Sequence, residues 1–136
     1  MKTLMERANE LEARGIFLGG PLQVFETAGR KLLTVLLSEG LTPSSNVLDI
    51  GCGCLRGGYW LIHFLDEGCY FGIEPNTEML EAGINIVLEP GLADLKRPRF
   101  DHNAEFDFAI FKEKFDFFCG ALNMDSRFEA TNQNHA

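Results

Sequence analysis

Two glycines and an acidic residue stand at positions where they could hold a nucleotide. Gly51 and Gly53 directly follow a short apolar segment, and Glu74 closes a second apolar segment 21 residues after Gly53. Glycine permits a left-handed backbone and lets a ligand approach the chain closely, while the start of a following helix presents free N–H groups. A carboxylate at about that distance can accept from both hydroxyls of a ribose. The spacing therefore predicts a nucleotide site on a strand–loop–helix unit.

The segment 51–58, called the glycine loop below, departs from the pattern of dinucleotide-binding proteins. Their fingerprint reads Gly-x-Gly-x-x-Gly, but Arg56 occupies the place of the third glycine. An acidic residue, Asp49, stands two positions before Gly51. A nicotinamide-dependent oxidoreductase with an irregular fingerprint stays open as an alternative, and Asp49 disfavours it.

Two motifs of this chain resemble those of the class I S-adenosylmethionine (SAM) methyltransferases. Residues 48–53, Leu-Asp-Ile-Gly-Cys-Gly, match the first motif of that family closely, although Leu55 stands where its commonest form has a further glycine. Residues 71–76, Phe-Gly-Ile-Glu-Pro-Asn, resemble the second strand with its ribose-binding acid. The resemblance extends over roughly residues 15–118 and is specific for the cofactor, not for the methyl acceptor.

The resemblance implies SAM as the cofactor and gives roles to particular residues. Glu74 would bind the ribose hydroxyls. Asp49 would hold the ammonium group of the methionine part, or would cap the N–H groups of the glycine turn, and the two roles are compatible. Arg56 would pair with the carboxylate of SAM or would lie on the surface of the next helix. Asn103 and Ala104 stand where the family grips adenine. The predicted cofactor-binding residues are Asp49, Gly51, Cys52, Gly53, Arg56, Glu74, Pro75, Asn76, Asn103 and Ala104.

Alternating helix and strand patterns predict an α/β fold. Strand three could lie at 99–103 or at 106–110, and the dozen residues that a parallel crossover needs favour 99–103. The resemblance implies a Rossmann-like parallel sheet of about four strands in the order 3-2-1-4, truncated relative to the seven-stranded methyltransferase fold. The predicted helices are 3–14, 21–38, 57–66 and 77–88, with a further turn at 92–97, and the predicted strands are 46–50, 69–73, 99–103 and 115–119.

The chain divides into N-terminal helices (1–40), a SAM-binding core (41–119) and a polar tail (120–136) that has no hydrophobic period and is expected to be disordered. Because the family's last three strands have no counterpart here, the sequence indicates a truncated domain or a disrupted reading frame. Strand four would then form a sheet edge, with Phe115, Phe117 and Phe118 exposed. We expect self-association through that edge.

Composition excludes several other classes of protein. The net charge of −8 and the absence of a basic face disfavour nucleic acid as a direct partner. No apolar run approaches the ~20 residues of a membrane helix, and the charged N-terminus is unlike a signal peptide, so a cytoplasmic location is expected. Four cysteines without paired spacing favour reduced, buried thiols over a zinc site.

Some features of the sequence leave the function open. Residues 16–20 form either a packed connector or a flap near the cofactor. Neither a catalytic base nor the acceptor is indicated, and small molecules, lipids, proteins and RNA all remain candidates. A non-catalytic remnant or interaction module that keeps the Rossmann-like core without using it is a further alternative.

Overall fold

The computed structural model describes residues 1–120 of the 136-residue chain. The predicted disordered tail therefore lies, apart from Gly120, outside the described residues. The helices are α1 (Leu4–Ala13), α2 (Phe25–Ser38), α3 (Gly58–Phe64), α4 (Thr77–Ala82) and α5 (Leu92–Lys96); the strands are β1 (Val47–Ile50), β2 (Tyr70–Ile73), β3 (Arg99–Asp101) and β4 (Phe117–Gly120). A 3₁₀ turn, Leu22–Val24, leads into α2, a π-helix, Gly83–Val87, continues α4, and a second 3₁₀ turn, Phe108–Phe111, precedes β4.

The four strands form one parallel sheet in the order β3-β2-β1-β4, as predicted. β1 lies in the centre, and Asp49 pairs in register with Gly72 on one side and with Cys119 on the other. Strand three lies at the preferred position, and the alternative strand at 106–110 is wrong, because those residues include the second 3₁₀ turn. The α/β, Rossmann-like fold class is therefore confirmed.

Local capping explains where two of the helices begin. The Thr3 hydroxyl accepts from the N–H of Glu6, whose carboxylate accepts from the Thr3 N–H, which is a capping box at the start of α1. Asn76 is the N-cap of α4, as predicted, and its side-chain oxygen accepts from the Met79 N–H at 3.1 Å. Because Asn76 directly follows β2, this cap sets the chain's direction at the carboxyl end of the strand.

One face of the sheet packs against helices and the other against aromatic side chains. The helix-covered face includes Val47 and Tyr70, in a core shared with α2, α3 and α4. The opposite face is covered by a cluster to which the segment between β3 and β4 contributes most of the aromatic rings; its buried members are Leu48, Ile50, Phe71, Ile73, Phe111, Phe115 and Phe118.

The expectation that the aromatic residues of strand four lie exposed is wrong. Phe115 and Phe118 are only 6% and 5% exposed, and Phe117 is half-buried. The ring of Phe115 packs edge-to-face on Phe71 at 5.0 Å and on Phe118 at 6.0 Å between centroids. Within residues 1–120, β4 pairs with β1 only, so its backbone edge is unpaired there. Self-association through that edge stays a prediction, but exposed phenylalanines do not support it.

The N-terminal helix packs against the end of the π-helix through a buried arginine. Arg7 Nε donates to the Val87 carbonyl at 3.0 Å, and its Nη2 lies 3.6 Å from a carboxylate oxygen of Glu89. Leu4, Ala8 and Leu11 pack with Val87 in the same cluster. The helices before residue 40 thus share a core with the sheet-bearing part, and the division of the chain at residue 40 stays a prediction. No helix within residues 1–120 has the length and apolar character needed to cross a bilayer.

Candidate functional site

A cavity of about 640 Å³ opens at the carboxyl ends of β1, β2 and β4. In parallel α/β sheets this edge is where ligands bind, at the point where the strand order reverses. The cavity is lined by the glycine loop, by one face of α2 and by residues 17–19. The lining residues are Phe17, Leu18, Gly19, Ala28, Gly29, Leu32, Asp49, Gly51, Cys52, Gly53, Cys54, Arg56, Gly57, Glu74, Asn76, Met79 and Gly120.

The glycine loop is tight because alternate residues have a left-handed backbone. The φ angles of Gly51, Gly53 and Leu55 are 73°, 57° and 70°. Leu55 thus adopts the conformation that a third glycine would favour, and its side chain is fully buried in the core. A left-handed leucine costs about 1–2 kcal/mol, and burial of the side chain offsets a similar amount. The leucine at this position is therefore compatible with the left-handed turn of the loop.

Backbone donors of the loop bond to the end of β2. The N–H groups of Gly51 and Cys52 both donate to the Ile73 carbonyl, at 2.8 and 3.1 Å. The Gly53 N–H donates to Glu74 Oε1 at 2.8 Å, and the other carboxylate oxygen accepts from the Asn76 N–H at 2.9 Å. Glu74 is thereby held in one orientation at the rim of the cavity. Each of its oxygens keeps a lone pair for another donor.

Asp49 is buried beneath the loop, with 3% of its surface exposed. Its Oδ2 accepts from the Tyr70 hydroxyl at 2.6 Å, and the Cys119 thiol also bonds to the carboxylate. Burial raises the pKa of Asp49 from 3.8 to about 6, and these two hydrogen bonds oppose that rise. The predicted capping of the glycine turn by Asp49 is wrong, because Ile73 and Glu74 accept from the N–H groups of that turn.

Arg56 is the basic residue among those that line the cavity. Its guanidinium lies against the backbone of Gly19 and Gly20, so closely that a side chain on Gly20 would meet Nη1 at 2.8 Å. Among the described residues its guanidinium forms neither a salt bridge nor a hydrogen bond. Arg56 thus lines the cavity, where a half-buried cation favours an anionic ligand group, and its pairing with the carboxylate of SAM stays a prediction.

The other predicted site residues do not all reach this cavity. Gly51, Cys52, Gly53 and Asn76 line it, whereas Pro75, Asn103 and Ala104 do not. The Asn103 amide donates to Asp101 Oδ2 at 2.6 Å and to the Asp107 carbonyl at 3.1 Å, and its oxygen accepts from the Asp107 N–H. Asn103 thus organises the loop after β3.

Several lining residues were not predicted from the sequence. Phe17, which is 66% exposed between the buried Ile16 and Leu18, lines the cavity with Leu18 and Gly19, and whether residues 16–20 act as a flap stays a prediction. Leu32 on α2 and Met79 on α4 supply apolar wall. The sequence feature that could have placed α2 beside the cavity is Gly29, because a helix packs closely against a neighbouring segment where a glycine faces it. A side chain at Gly29 would overlap the carbonyl oxygen of Arg56.

Gly120 closes the cavity at the end of β4. Its φ is +109°, and a side chain there would overlap the Ile50 carbonyl oxygen and come within 2.6 Å of Asp49 Oδ1.

The three buried thiols around Asp49 and the loop are unpaired, and burial raises the pKa of Cys52, Cys54 and Cys119. They are therefore poorly reactive thiols, and two of them, Cys52 and Cys54, line the cavity.

No protein-family model matches this chain, and no curated protein matches it. Among solved structures it is similar to magnesium protoporphyrin IX methyltransferase (ChlM) from Synechocystis PCC 6803, crystallised with bound SAM. The TM-score is 0.56 at 20% sequence identity, and the alignment covers 73% of this chain and 45% of that chain. At this identity the likeness shows the fold alone, an α/β Rossmann-like fold. The aligned part spans less than half the length of that protein.

Proposed function

We propose that the cavity binds SAM and that this chain is the cofactor-binding part of a class I methyltransferase. The observation that carries the proposal is the bond from the Gly53 N–H to Glu74, because it brings the acid proposed for the ribose against a left-handed glycine loop. A cavity of about 640 Å³ is within the range of small-molecule sites. The methyltransferase that this fold resembles was crystallised with SAM bound.

The charged groups of the cavity match the charged and polar parts of SAM. Glu74 is oriented to accept from the ribose hydroxyls. Asp49 faces the ammonium group, and Arg56 pairs with the carboxylate of the methionine part. Leu18 and Met79 offer apolar contact to the rest of the cofactor. Asn103 and Ala104 are proposed for adenine only through the resemblance, since they do not line the cavity.

Bound SAM would supply an electrophilic methyl group on its sulfonium. The residues of this chain would hold that group in place and exclude water, which is most of what methyl transfer requires of a protein. We assign no catalytic base and no acceptor. The proposed reaction, like the cytoplasmic location and the absence of nucleic acid as a partner, stays a prediction.

The test is a titration of the chain with S-adenosylhomocysteine and with 5′-methylthioadenosine, which lacks the amino-acid part. We expect both ligands to shift the amide NMR signals of Gly51 and Gly53 saturably. Arg56→Ala should weaken the binding of S-adenosylhomocysteine by about 10–150-fold, the loss of one charge-assisted hydrogen bond. The same variant should leave the affinity for 5′-methylthioadenosine unchanged.

The matched control is Arg97→Ala, because Arg97 is exposed, pairs with Glu67 and lies outside the cavity. It should leave both affinities at the wild-type value. If neither S-adenosylhomocysteine nor SAM binds the wild-type chain, the proposal fails. Binding of NADH in preference to both would support the oxidoreductase alternative.

A further inference from the structure

We infer that Tyr70 is a positioning residue of the cofactor site: its hydroxyl holds the buried Asp49 carboxylate in the charged, oriented form that receives the ammonium group of the ligand. The inference rests on the proposed function and deepens it. Tyr70 does not line the cavity, so it would act through Asp49 and not on the ligand itself.

Sheet geometry places the two side chains together. β1 and β2 are parallel neighbours, and Asp49 pairs with Gly72, two residues after Tyr70, so both side chains lie on the same face. The hydroxyl donates to Asp49 Oδ2 at 2.6 Å, a length typical of a charge-assisted bond. Tyr70 is 2% exposed, so water does not compete for this bond.

The surrounding chain leaves room for this arrangement at two glycines. A side chain at Gly58 would overlap the Tyr70 hydroxyl, and one at Gly120 would come within 2.6 Å of Asp49 Oδ1. With Oδ2 bonded to Tyr70, the other oxygen is left on the side of Gly120, which lines the cavity. The phenol therefore determines which oxygen of Asp49 is available to a ligand.

Within residues 1–120, the groups that face Asp49 include no cation. They are the Tyr70 hydroxyl from β2, the Cys119 thiol from β4, Cys52 from the glycine loop and the more distant Glu74. Burial raises the pKa of Asp49, and only the two hydrogen bonds oppose it. Without the Tyr70 hydroxyl, one of the two hydrogen bonds that lower the pKa of Asp49 would be lost. The pKa would therefore rise above about 6, toward neutral pH. A protonated Asp49 has no charge to offer an ammonium group.

This predicts that ligand binding depends on pH through Asp49. Affinity for S-adenosylhomocysteine should fall by up to about tenfold for each pH unit below the pKa of Asp49. In Tyr70→Phe the fall should begin at a higher pH. Affinity for 5′-methylthioadenosine, which has no ammonium group, should not change with pH in either protein.

The experiment combines two measurements on wild type, Tyr70→Phe and the control Tyr59→Phe. Tyr59 is a suitable control because its hydroxyl bonds to Glu89, outside the cavity. The side-chain carboxyl ¹³C signal of Asp49 gives its pKa in the ligand-free chain, and calorimetry from pH 5 to 7.5 gives the affinities. We expect a higher pKa and a higher midpoint in Tyr70→Phe only.

A double mutant tests whether Tyr70 acts through Asp49. Asp49→Asn should bind S-adenosylhomocysteine weakly and independently of pH, and adding Tyr70→Phe should weaken binding no further. A further loss in the double mutant, or a wild-type midpoint in Tyr70→Phe, would overturn the inference. If the wild-type chain binds no S-adenosylhomocysteine, the proposed function fails and this inference with it. The two failures are distinguishable because the ligand-free pKa of Asp49 is still measured.

Discussion

Glu74 and Gly53, 21 residues apart in the chain, are joined by a 2.8 Å hydrogen bond from the Gly53 N–H to Glu74 Oε1. The bond connects the loop after β1 to the end of β2, the two places where the sequence predicted a nucleotide site. Its consequence is that Glu74 has two tasks. It keeps the glycine loop in its left-handed shape, and it presents its remaining lone pairs to the cavity.

Glu74→Ala should weaken S-adenosylhomocysteine binding by about 1.5–3 kcal/mol, or roughly 10–150-fold, because the ribose loses its charged acceptor. Glu74→Gln should also lower the thermal stability of the chain. Its side-chain NH₂ would face the N–H of either Gly53 or Asn76, so one hydrogen bond would be lost. Calorimetry and thermal unfolding measure the two effects. Glu78→Ala, at an exposed acid in the first turn of α4, is the control. Wild-type affinity in Glu74→Ala would remove Glu74 from the site.

Asp49→Asn should make the chain more stable at neutral pH, although it should weaken the binding of the cofactor. The pKa of Asp49 is raised by burial from 3.8 to about 6, so ionised Asp49 destabilises the folded chain by about 3 kcal/mol above pH 6. That destabilisation declines as the pH falls from 6 toward 3.8, because the folded chain then carries a neutral Asp49.

The measurement for Asp49→Asn is urea unfolding at pH 7.5 and at pH 4. We expect a gain of up to about 3 kcal/mol at pH 7.5 that largely disappears at pH 4. Asp66→Asn, at an exposed acid, should change stability little at either pH. An equal gain at both pH values would show that charge burial is not its cause.

Gly29→Ala should both destabilise the chain and weaken the cofactor site. The added methyl group would overlap the carbonyl oxygen of Arg56 and approach the Trp60 ring at 3.2 Å, so α2 must move away from α3. Such overpacking costs about 1–3 kcal/mol, and the displaced Arg56 would bind a carboxylate less well. Chemical unfolding and calorimetry test this. Thr34→Ala, on the exposed side of α2, should change neither stability nor affinity by a comparable amount.

Phe115→Ala should destabilise the chain by about 3–5 kcal/mol, because Phe115 joins the aromatic rings that cover the second face of the sheet. Phe17→Ala is the matched control, since Phe17 is 66% exposed and its loss should cost less than about 0.5 kcal/mol. Urea unfolding midpoints compare the two. Equal losses would mean that the aromatic cluster does not stabilise the fold as its burial indicates.

Local pattern was enough to predict most of the architecture. Apolar runs bounded by turn residues predicted β1 and β2, and the length required of a parallel crossover placed strand three at 99–103, where the structure has β3 at Arg99–Asp101. The glycines and the spacing of Glu74 predicted the glycine loop because turns and strand ends are formed by residues close together in sequence. The Asn76 cap, which directly follows β2, is an example of such local geometry.

The sequence by itself therefore determined the order of elements, the glycine loop and the identity of its acidic partner. Only the tertiary structure decided that Tyr70, and not the glycine turn, bonds to Asp49, and that Arg56 faces the cavity. It also decided that Phe115 and Phe118 are covered by aromatic rings from the segment before β4. The physical reason is that these contacts join residues brought together by strand register and helix packing. Burial and hydrogen bonding across the sheet, which no local pattern encodes, then decide which side chains contact each other.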